Sequence, residues 1–168
     1  MEWRDIAASL TVVTEPALEP ISRAEAKWQA RIDQADEDHL IDLYITAARR
    51  QVEKQTGCAL VNTVYDFTLD AFPGDRAIRL QRWPLKSIAS VTSYDDADVA
   101  TVLAATKYLV DTAQHRLVLN DDASWPSDLR SHKAGVIRFT AGANAASVAV
   151  STLTSAGTAP SITATVTT

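Results

Sequence analysis

The chain changes its apolar period once, and that change constrains the fold more than any other feature of the sequence. From Leu40 to Val52 the large apolar residues recur every three or four positions, which predicts a helix over about residues 37–56. Gly57 follows, and glycine readily ends a helix in the left-handed conformation. From Val61 to Leu69 the period is two, which predicts a half-buried strand. The fold must therefore join a helix directly to a sheet.

A shorter helix is predicted before this one, over about residues 22–32. Ser22 and Glu25 have the spacing of a capping box, in which each side chain accepts a hydrogen bond from an otherwise unpaired amide. Trp28 is expected on the packed face of this helix. The preceding stretch, Glu15 to Pro20, contains two prolines that disfavour helix in their neighbours. We therefore predict that residues 1–20 form an extended arm or an edge strand.

Short segments of period two occupy the rest of the core. They are separated by turn residues such as Pro73-Gly74-Asp75 and Asp95 to Asp98, and Asp121-Asp122 with Trp125-Pro126 begins a longer loop. The predicted strands are Ala77–Leu80, Ile88–Tyr94, Thr101–Leu103, Tyr108–Val110, Arg116–Leu119 and Gly135–Thr140. We predict an α+β fold over residues 21–142, in which the N-terminal helices (about 22–32 and 37–56) pack on an antiparallel β-sheet. Extended N- and C-terminal arms flank this core.

Residues 143–168 form a segment with no charged residue, composed mostly of Ala, Ser and Thr. Two parts of it, Ser147 to Leu153 and Ser161 to Val166, alternate as strands do. Such a segment buries too little apolar surface to order itself, and it is prone to aggregate unless a partner covers it. We expect this tail to be ordered on assembly, for example as a strand added to a neighbouring chain.

Composition disfavours several classes of function. The formal net charge of -5 lacks the basic excess with which proteins neutralise phosphates, so tight binding to DNA is not expected. The N-terminus carries Glu2 and Asp5 where a signal peptide carries basic residues, and no apolar run approaches membrane-spanning length. Cys58 is the single cysteine, so no intrachain disulfide can form, and synthesis in a reducing cytoplasm is expected.

Two groups of residues could in principle support catalysis, and the sequence favours neither. His39 lies among the carboxylates of Asp36 to Asp38 and Asp42, but acidic residues at a helix start interact with its dipole, and no second histidine has ligand spacing. Cys58 could pair with His115 or His132, yet nothing in the sequence brings them together, so a small buried apolar role is favoured. No glycine-rich phosphate loop is present. We predict no catalytic, cofactor or metal site, and no enzyme.

Other residues are candidates for interfaces. The basic residues Arg76, Arg79, Arg82 and Lys86 could meet phosphate, but a solvated sheet face or pairing with a neighbouring subunit's aspartates is preferred. Each of two Trp-Pro pairs could be either a core plug or an interface anchor, since aromatic residues serve as both. The candidate interface residues are Trp83, Pro84, Trp125, Pro126, Val148, Val150, Leu153, Ile162 and Val166.

The order of segments resembles one known family. Its features are the Leu10-Thr-Val-Val-Thr-Glu-Pro16 and Glu19-Pro-Ile-Ser-Arg-Ala-Glu-Ala-Lys27 segments, the Asp36 to Glu53 helix with Thr56-Gly57-Cys-Ala-Leu60, and a set of strand motifs. Those motifs are Tyr65 to Pro73, Ile78 to Ile88, Val91 to Tyr94, Tyr108 to Asp111, Arg116-Leu117, Trp125-Pro126 and Val136 to Gly142. Together they resemble the head-to-tail connector (adaptor, or head completion) proteins of long-tailed phages, prophages and gene transfer agents. The resemblance covers about residues 10–142.

The resemblance implies a structural virion protein at the neck. Its subunits would form a ring, twelve-fold on the portal, that helps retain packaged DNA and gives the tail a docking surface. The implied partners are other copies, the portal protein, and the next neck, stopper or tail protein. DNA would pass through the ring without sequence-specific binding, and no membrane is involved. The alternatives are another tail-assembly or neck subunit with a similar core, or a small nucleic-acid-binding domain.

One departure from the family concerns the C-terminus. Members usually continue after the final Ala-Gly strand into an amphipathic helix, whereas here the uncharged tail follows Gly142. C-terminal contacts therefore do not transfer from the family to this chain.

Overall fold

The computed structural model describes residues 7–143 and contains two helices and eight strands. One strand precedes the helices and seven follow them. The helices are α1 (Arg23–Ala30) and α2 (Asp38–Thr56). The strands are β1 (Ala8–Thr14), β2 (Thr63–Leu69), β3 (Ala77–Arg79), β4 (Leu85–Tyr94), β5 (Ala100–Val102), β6 (Tyr108–Asp111), β7 (Arg116–Leu119) and β8 (Gly135–Ala141). The predicted α+β class is confirmed.

The strands form two antiparallel sheets rather than one. The larger sheet has the order β1-β2-β8-β4-β5, and the smaller one has the order β3-β7-β6. All six predicted segments after residue 69 are strands, with ends that shift by at most three residues. The β4–β5 hairpin turns at Asp95, whose carboxylate accepts hydrogen bonds from the amides of Ala97 and Val99. The turn predicted from the aspartate run is therefore observed.

The core is formed by strands whose side chains alternate between buried and more exposed positions. In β2 every second residue is buried, from Thr63 to Leu69, and β8 follows the same rule. Phe139 is fully buried and stacks on Tyr65 with ring centroids 5.5 Å apart. Ile78 and Leu117 of the small sheet belong to the same apolar cluster. One continuous core therefore unites the two sheets.

Helix α1 begins as predicted and ends slightly earlier. Ser22 and Glu25 form the capping box, with the Ser22 amide donating to the Glu25 carboxylate over 2.7 Å. Arg31 ends the helix in the left-handed conformation. The placement of Trp28 on a packed face was wrong, because its side chain is 83% exposed and α1 has no buried residue. A helix of eight residues offers only a narrow stripe, and here that stripe carries charged contacts to α2.

Helix α2 ends at Gly57 (φ 74°), as the sequence predicted. The predicted apolar stripe is only partly buried. Ile41 and Ile45 are buried, whereas Leu40, Tyr44 and Val52 are exposed. The buried face continues instead through two charged residues, Arg49 and Glu53. The ion pairs of Arg49 with Glu15, Glu19 and Glu53 compensate for the burial of these charges.

The C-terminal end of the core packs tightly against the segment that follows α2. Gly142 has φ 139°, and a side-chain carbon there would collide with the backbone of Val61 and Asn62, so glycine is required. The Ala143 amide then donates to the Ala59 carbonyl over 3.2 Å. At the other end of the chain, β1 lies at the edge of the large sheet, which agrees with the predicted edge strand. The division into arm, core and tail remains a prediction.

Candidate assembly interface

The two helices expose several large apolar side chains. Besides Trp28, the side chains of Leu40, Leu43 and Tyr44 on α2 are 43%, 51% and 63% exposed. An open recess of about 460 Å³ lies beside Trp28, lined also by Lys27, Gln29, Arg31 and Asp33. Single exposed apolar residues are ordinary, but several on one helical hairpin suit contact with another protein. We call Trp28, Leu40, Leu43 and Tyr44 the hairpin surface.

The hairpin is fixed to the N-terminal segment by a buried arginine. Arg49 donates to Glu19 over 2.8 Å, to Glu53 over 3.1 Å and to Glu15 over 3.3 Å. Burial alone would raise the pKa of Glu19, but the hydrogen bonds from Arg49 and Thr46 outweigh it and hold that pKa below its ordinary value. Because Glu15 directly follows β1, this cluster joins the edge strand to α2.

A second ionic cluster joins the two helices. Lys27 donates to Asp38 over 2.6 Å, and Arg23 contacts both Asp38 and Asp42. The hydrogen bond from Lys27 lowers the pKa of Asp38, and the one from Arg23 lowers the pKa of Asp42. Two of the carboxylates near His39, those of Asp38 and Asp42, are therefore used in ion pairs. Within residues 7–143, no group of three His, Cys, Asp or Glu side chains is arranged to hold a metal ion.

The Trp83-Pro84 pair lies on the surface next to the end of α2. The Trp83 side chain is 44% exposed, its ring stacks on His115 with centroids 6.3 Å apart, and its peptide bond to Pro84 is cis. Its backbone pairs with that of Gly57 and Ala59, the Trp83 carbonyl accepting from Ala59 over 2.8 Å. The backbone is thus fixed while part of the ring stays accessible, which is compatible with an anchor role.

The Trp125-Pro126 pair is placed differently. Trp125 stacks on Phe72 with centroids 4.9 Å apart, and its indole N–H donates to the Asp75 carbonyl over 2.8 Å. It packs against the apolar core, where it fastens the long loop between β7 and β8. Of the two roles left open for this tryptophan, its contacts favour the core plug. The five tail candidates, Val148, Val150, Leu153, Ile162 and Val166, lie outside the described residues.

Two of the four basic residues, Arg76 and Arg82, make contacts within the protein. Arg82 points to the end of α2, where it donates to the Glu53 carbonyl over 3.1 Å, and its guanidinium lies 5.9 Å from the centre of the Tyr65 ring. Arg76 contacts the Asn120 carbonyl and pairs with Asp121 over 3.4 Å. These two arginines therefore bind the protein's own backbone and carboxylates, which weakens the case for a phosphate site.

Cys58 has the surroundings of an unreactive thiol. It is partly buried rather than fully buried, and burial, followed by the nearby Glu53 carboxylate, raises its pKa. A raised pKa disfavours the thiolate that nucleophilic chemistry needs. In the part of the chain that the structure describes, no helix is long and apolar enough to cross a membrane.

The sequence did not reveal a second apolar surface, which lies around β5 and β6. Val99, Val102 and Leu109, around β5 and β6, are 57%, 62% and 63% exposed. β5 and β1 are the two edges of the large sheet. The residues of β1 are all exposed except Leu10, which is partly buried. Short period-two segments predict strands, but which strand lies at an edge depends on pairing between distant segments.

Comparison with known proteins confirms the resemblance seen in the sequence. Residues 22–95 match the model of a family described as phage gp6-like head-tail connector protein. Among curated proteins none matches this chain.

Chains in solved structures of gene transfer agent (GTA) particles have a similar fold. A chain from the neck of an empty GTA particle, computed with C6 symmetry, is 27% identical with a TM-score of 0.68. The match covers 82% of this chain and 72% of that one. A chain from the neck of a native GTA particle, computed with C12 symmetry, is 25% identical with a TM-score of 0.62, over 82% and 71% of the two chains. A third, from a native GTA virion, is 22% identical and shares the fold (TM-score 0.64, covering 81% and 72%).

Proposed function

We propose that this protein, a structural protein of the head-tail connector type, forms a ring in the neck of a phage-like particle between the portal and the tail. The observation that carries the proposal is the agreement of two comparisons. The family match covers both helices and strands β2 to β4, and the fold match to neck chains extends over most of the described core. Among the described residues we find no side-chain arrangement that favours a metal site or a reactive thiol. We therefore propose that the protein acts through its shape and its contacts with other subunits.

A closed ring of identical subunits needs two different surfaces that fit each other. The described residues present two exposed apolar surfaces, the hairpin surface and the one around Val99, Val102 and Leu109. We propose that the hairpin surface contacts a neighbouring copy, with Trp28 as its most exposed anchor. Buried tryptophan is among the residues that contribute most to interfaces. Trp83, Pro84, Trp125, Pro126 and the tail residues remain candidate contacts to neighbouring copies or to the portal.

The charge of the chain fits a channel through which DNA moves. A net charge of -5 gives little attraction to phosphates, and Arg76 and Arg82 are occupied by internal contacts. The ring would then retain the genome by closing the path below the portal and not by binding sequence. The proposed partners are the portal protein above and the next neck, stopper or tail protein below. Synthesis in the bacterial cytoplasm precedes incorporation into the virion.

The test is the particle mass of the purified full-length chain, with and without its portal protein. We expect a ring of twelve copies on the portal, measured by native mass spectrometry or electron microscopy. A Trp28→Ala variant should fold normally and form fewer rings, while Lys133→Ala, an exposed change away from the hairpin, serves as the control. A folded monomer that does not bind the portal protein at any concentration tested would contradict the connector function.

The alternative is another tail-assembly or neck subunit with the same core. Copurification separates the two: a connector binds portal, whereas a tail-assembly subunit binds the tail tube. A nucleic-acid-binding domain would instead give DNA affinity that falls steeply with salt.

A further inference from the structure

Strand β1 has the properties of an unfinished sheet edge. It pairs with β2 on one side, and none of the described residues pairs with its other side. Five consecutive residues, Ala8 to Val12, are in regular register with Leu69 to Tyr65, and the irregularity comes only after Val12. The strand contains no charged residue and no proline, the features that usually block addition of another strand. Its free backbone groups can therefore accept a further strand.

The apolar face of the sheet stops abruptly at this edge. Leu10 and Val12 lie opposite Phe67 and Tyr65, which belong to the buried core. Yet Val12 is 49% exposed, although it sits on the core side of the sheet. On the other side of β1, Ser9 and Thr11 lie opposite Thr68 and Asp66, which are polar. An added strand would complete the core only if it were apolar on one face and small or polar on the other.

We propose that the segment Ser147 to Ser151 of a neighbouring copy adds to the free edge of β1. In this segment Val148 and Val150 alternate with Ser147, Ala149 and Ser151. Laid beside β1, the two valines extend the face of Leu10 and Val12, and the small residues extend the face of Ser9 and Thr11. The segment has no charge to desolvate. This inference deepens the proposed ring function and rests on it for the presence of a neighbour.

Distance favours a neighbouring copy over the chain's own tail. The free side of β1 lies three strand spacings from β8, or about 14 Å. From Ala143, held by Ala59, only four residue steps lead to Ser147, which span about 13–14 Å when fully extended. A straight path would also have to pass the ends of β2 and β1. Pairing with its own β1 would therefore need a fully straight linker with no residue left for a turn, whereas pairing with another subunit's β1 carries no such constraint.

The test uses pairs of single-cysteine proteins in a Cys58→Ser background. One full-length chain carries Thr11→Cys, and the other carries a cysteine at one of the positions 148–151. The two are mixed, assembled and oxidised, and disulfide-linked dimers are measured on a non-reducing gel. We expect crosslinks from Thr11→Cys to Ala149→Cys and Ser151→Cys, on the same face, several-fold above those to Val148→Cys and Val150→Cys. A Val102→Cys chain, at the opposite edge, is the matched control.

A second variant pair tests the same edge without cysteines. Val12→Lys places a charge on the core side of β1 and should reduce the crosslinking of the tail and the yield of rings. Thr101→Lys, at an exposed position of β5 outside the apolar surface around Val99, Val102 and Leu109, should leave the tail crosslinks unchanged. Circular dichroism confirms that both variants fold.

Several outcomes would overturn the inference. These are equal crosslinking at all four tail positions, no crosslinking in assembled rings, or a crosslink only within one chain when both cysteines are placed together. Crosslinking of the tail to portal alone would also overturn it. Ring mass is measured in the same samples, so rings without these crosslinks refute the pairing and leave the connector function standing. Crosslinks between copies that never form portal-bound rings would support the strand pairing and contradict the connector function.

Discussion

The large sheet and the helical hairpin are held together by different forces. In β2 and β8 every second side chain is buried, and the two strands pair without a register shift over seven residues. In the hairpin, α1 buries no residue, and α2 buries two apolar and two charged ones. The sheet is stabilised by removing apolar surface from water, whereas the hairpin depends on Arg49 and on the pairs of Arg23 and Lys27.

Because of this difference, the residues that stabilise the fold are largely distinct from those available for assembly. Apolar side chains buried in a core are not available to bind neighbours, whereas the hairpin keeps Trp28, Leu40, Leu43 and Tyr44 exposed. Ionic contacts hold its shape without covering that surface. We infer that the sheets provide the scaffold and that the hairpin, so positioned, presents an interface. The contrast is open to direct tests.

Removing an aromatic ring from the sheet should have the largest effect on folding. Phe139→Ala deletes a fully buried ring that stacks on Tyr65. We expect a loss of about 3–5 kcal/mol in the free energy of unfolding, measured by chemical denaturation. Trp28→Ala, which removes a larger ring from an 83% exposed site, should cost under about 0.5 kcal/mol. Similar losses for the two variants would refute the division between scaffold and interface.

Removing the buried arginine should cost less and act on the hairpin. Arg49→Met keeps most of the side-chain volume but leaves the Glu53 carboxylate, 8% exposed, without its cation. Breaking such a pair costs about 3 kcal/mol. Arg50→Met, whose side chain is 61% exposed and pairs with Glu15, is the control and should change stability by under about 0.5 kcal/mol. Equal stability of the Arg49 and Arg50 variants would mean that the cluster does not hold the hairpin.

The strands were predictable because their signal is local. Alternation from Thr63 to Leu69 and the turn residues around Asp95 depend on neighbouring positions, and both appear in the structure. The capping box at Ser22 and the Gly57 stop are local as well. The split into two sheets was not predicted, because it depends on which distant strands pair, as β2 does with β8 across more than sixty residues.

The hairpin was predicted less well for a physical reason. An apolar residue at helical spacing indicates a surface that needs covering, but not whether the chain itself or another molecule covers it. Trp28 was therefore placed in a packed position that it does not occupy. The inward position of Arg49 was missed because its partners, Glu15 and Glu19, are thirty or more residues away and carry no pattern of their own. Similarly, only contacts with Phe72 and Asp75 favour the core role of Trp125.

The smallest expected effect is the order in which the two regions loosen in acid. Hydrogen bonds from Lys27 and Arg23 lower the pKa values of Asp38 and Asp42, and despite its burial Glu19 also has a lowered pKa because of Arg49 and Thr46. A carboxyl whose pKa is lower in the folded state stabilises the fold above its unfolded pKa. That contribution is lost as the pH falls through the folded pKa.

All three carboxylates hold the hairpin, so it should open before the core of the large sheet as the pH falls below about 4. Amide hydrogen exchange followed by mass spectrometry would report this as faster exchange in α1 and α2 at a pH where β2 and β8 are still protected. High salt should reduce the difference, since Asp38 and Asp42 are exposed enough to be screened. Arg49→Met should remove the part of the pH dependence due to Glu19 and leave the Asp38 and Asp42 part. Loss of protection in β2 and β8 at the same pH as in the helices would mean that the two regions unfold as one unit, despite their different stabilising contacts.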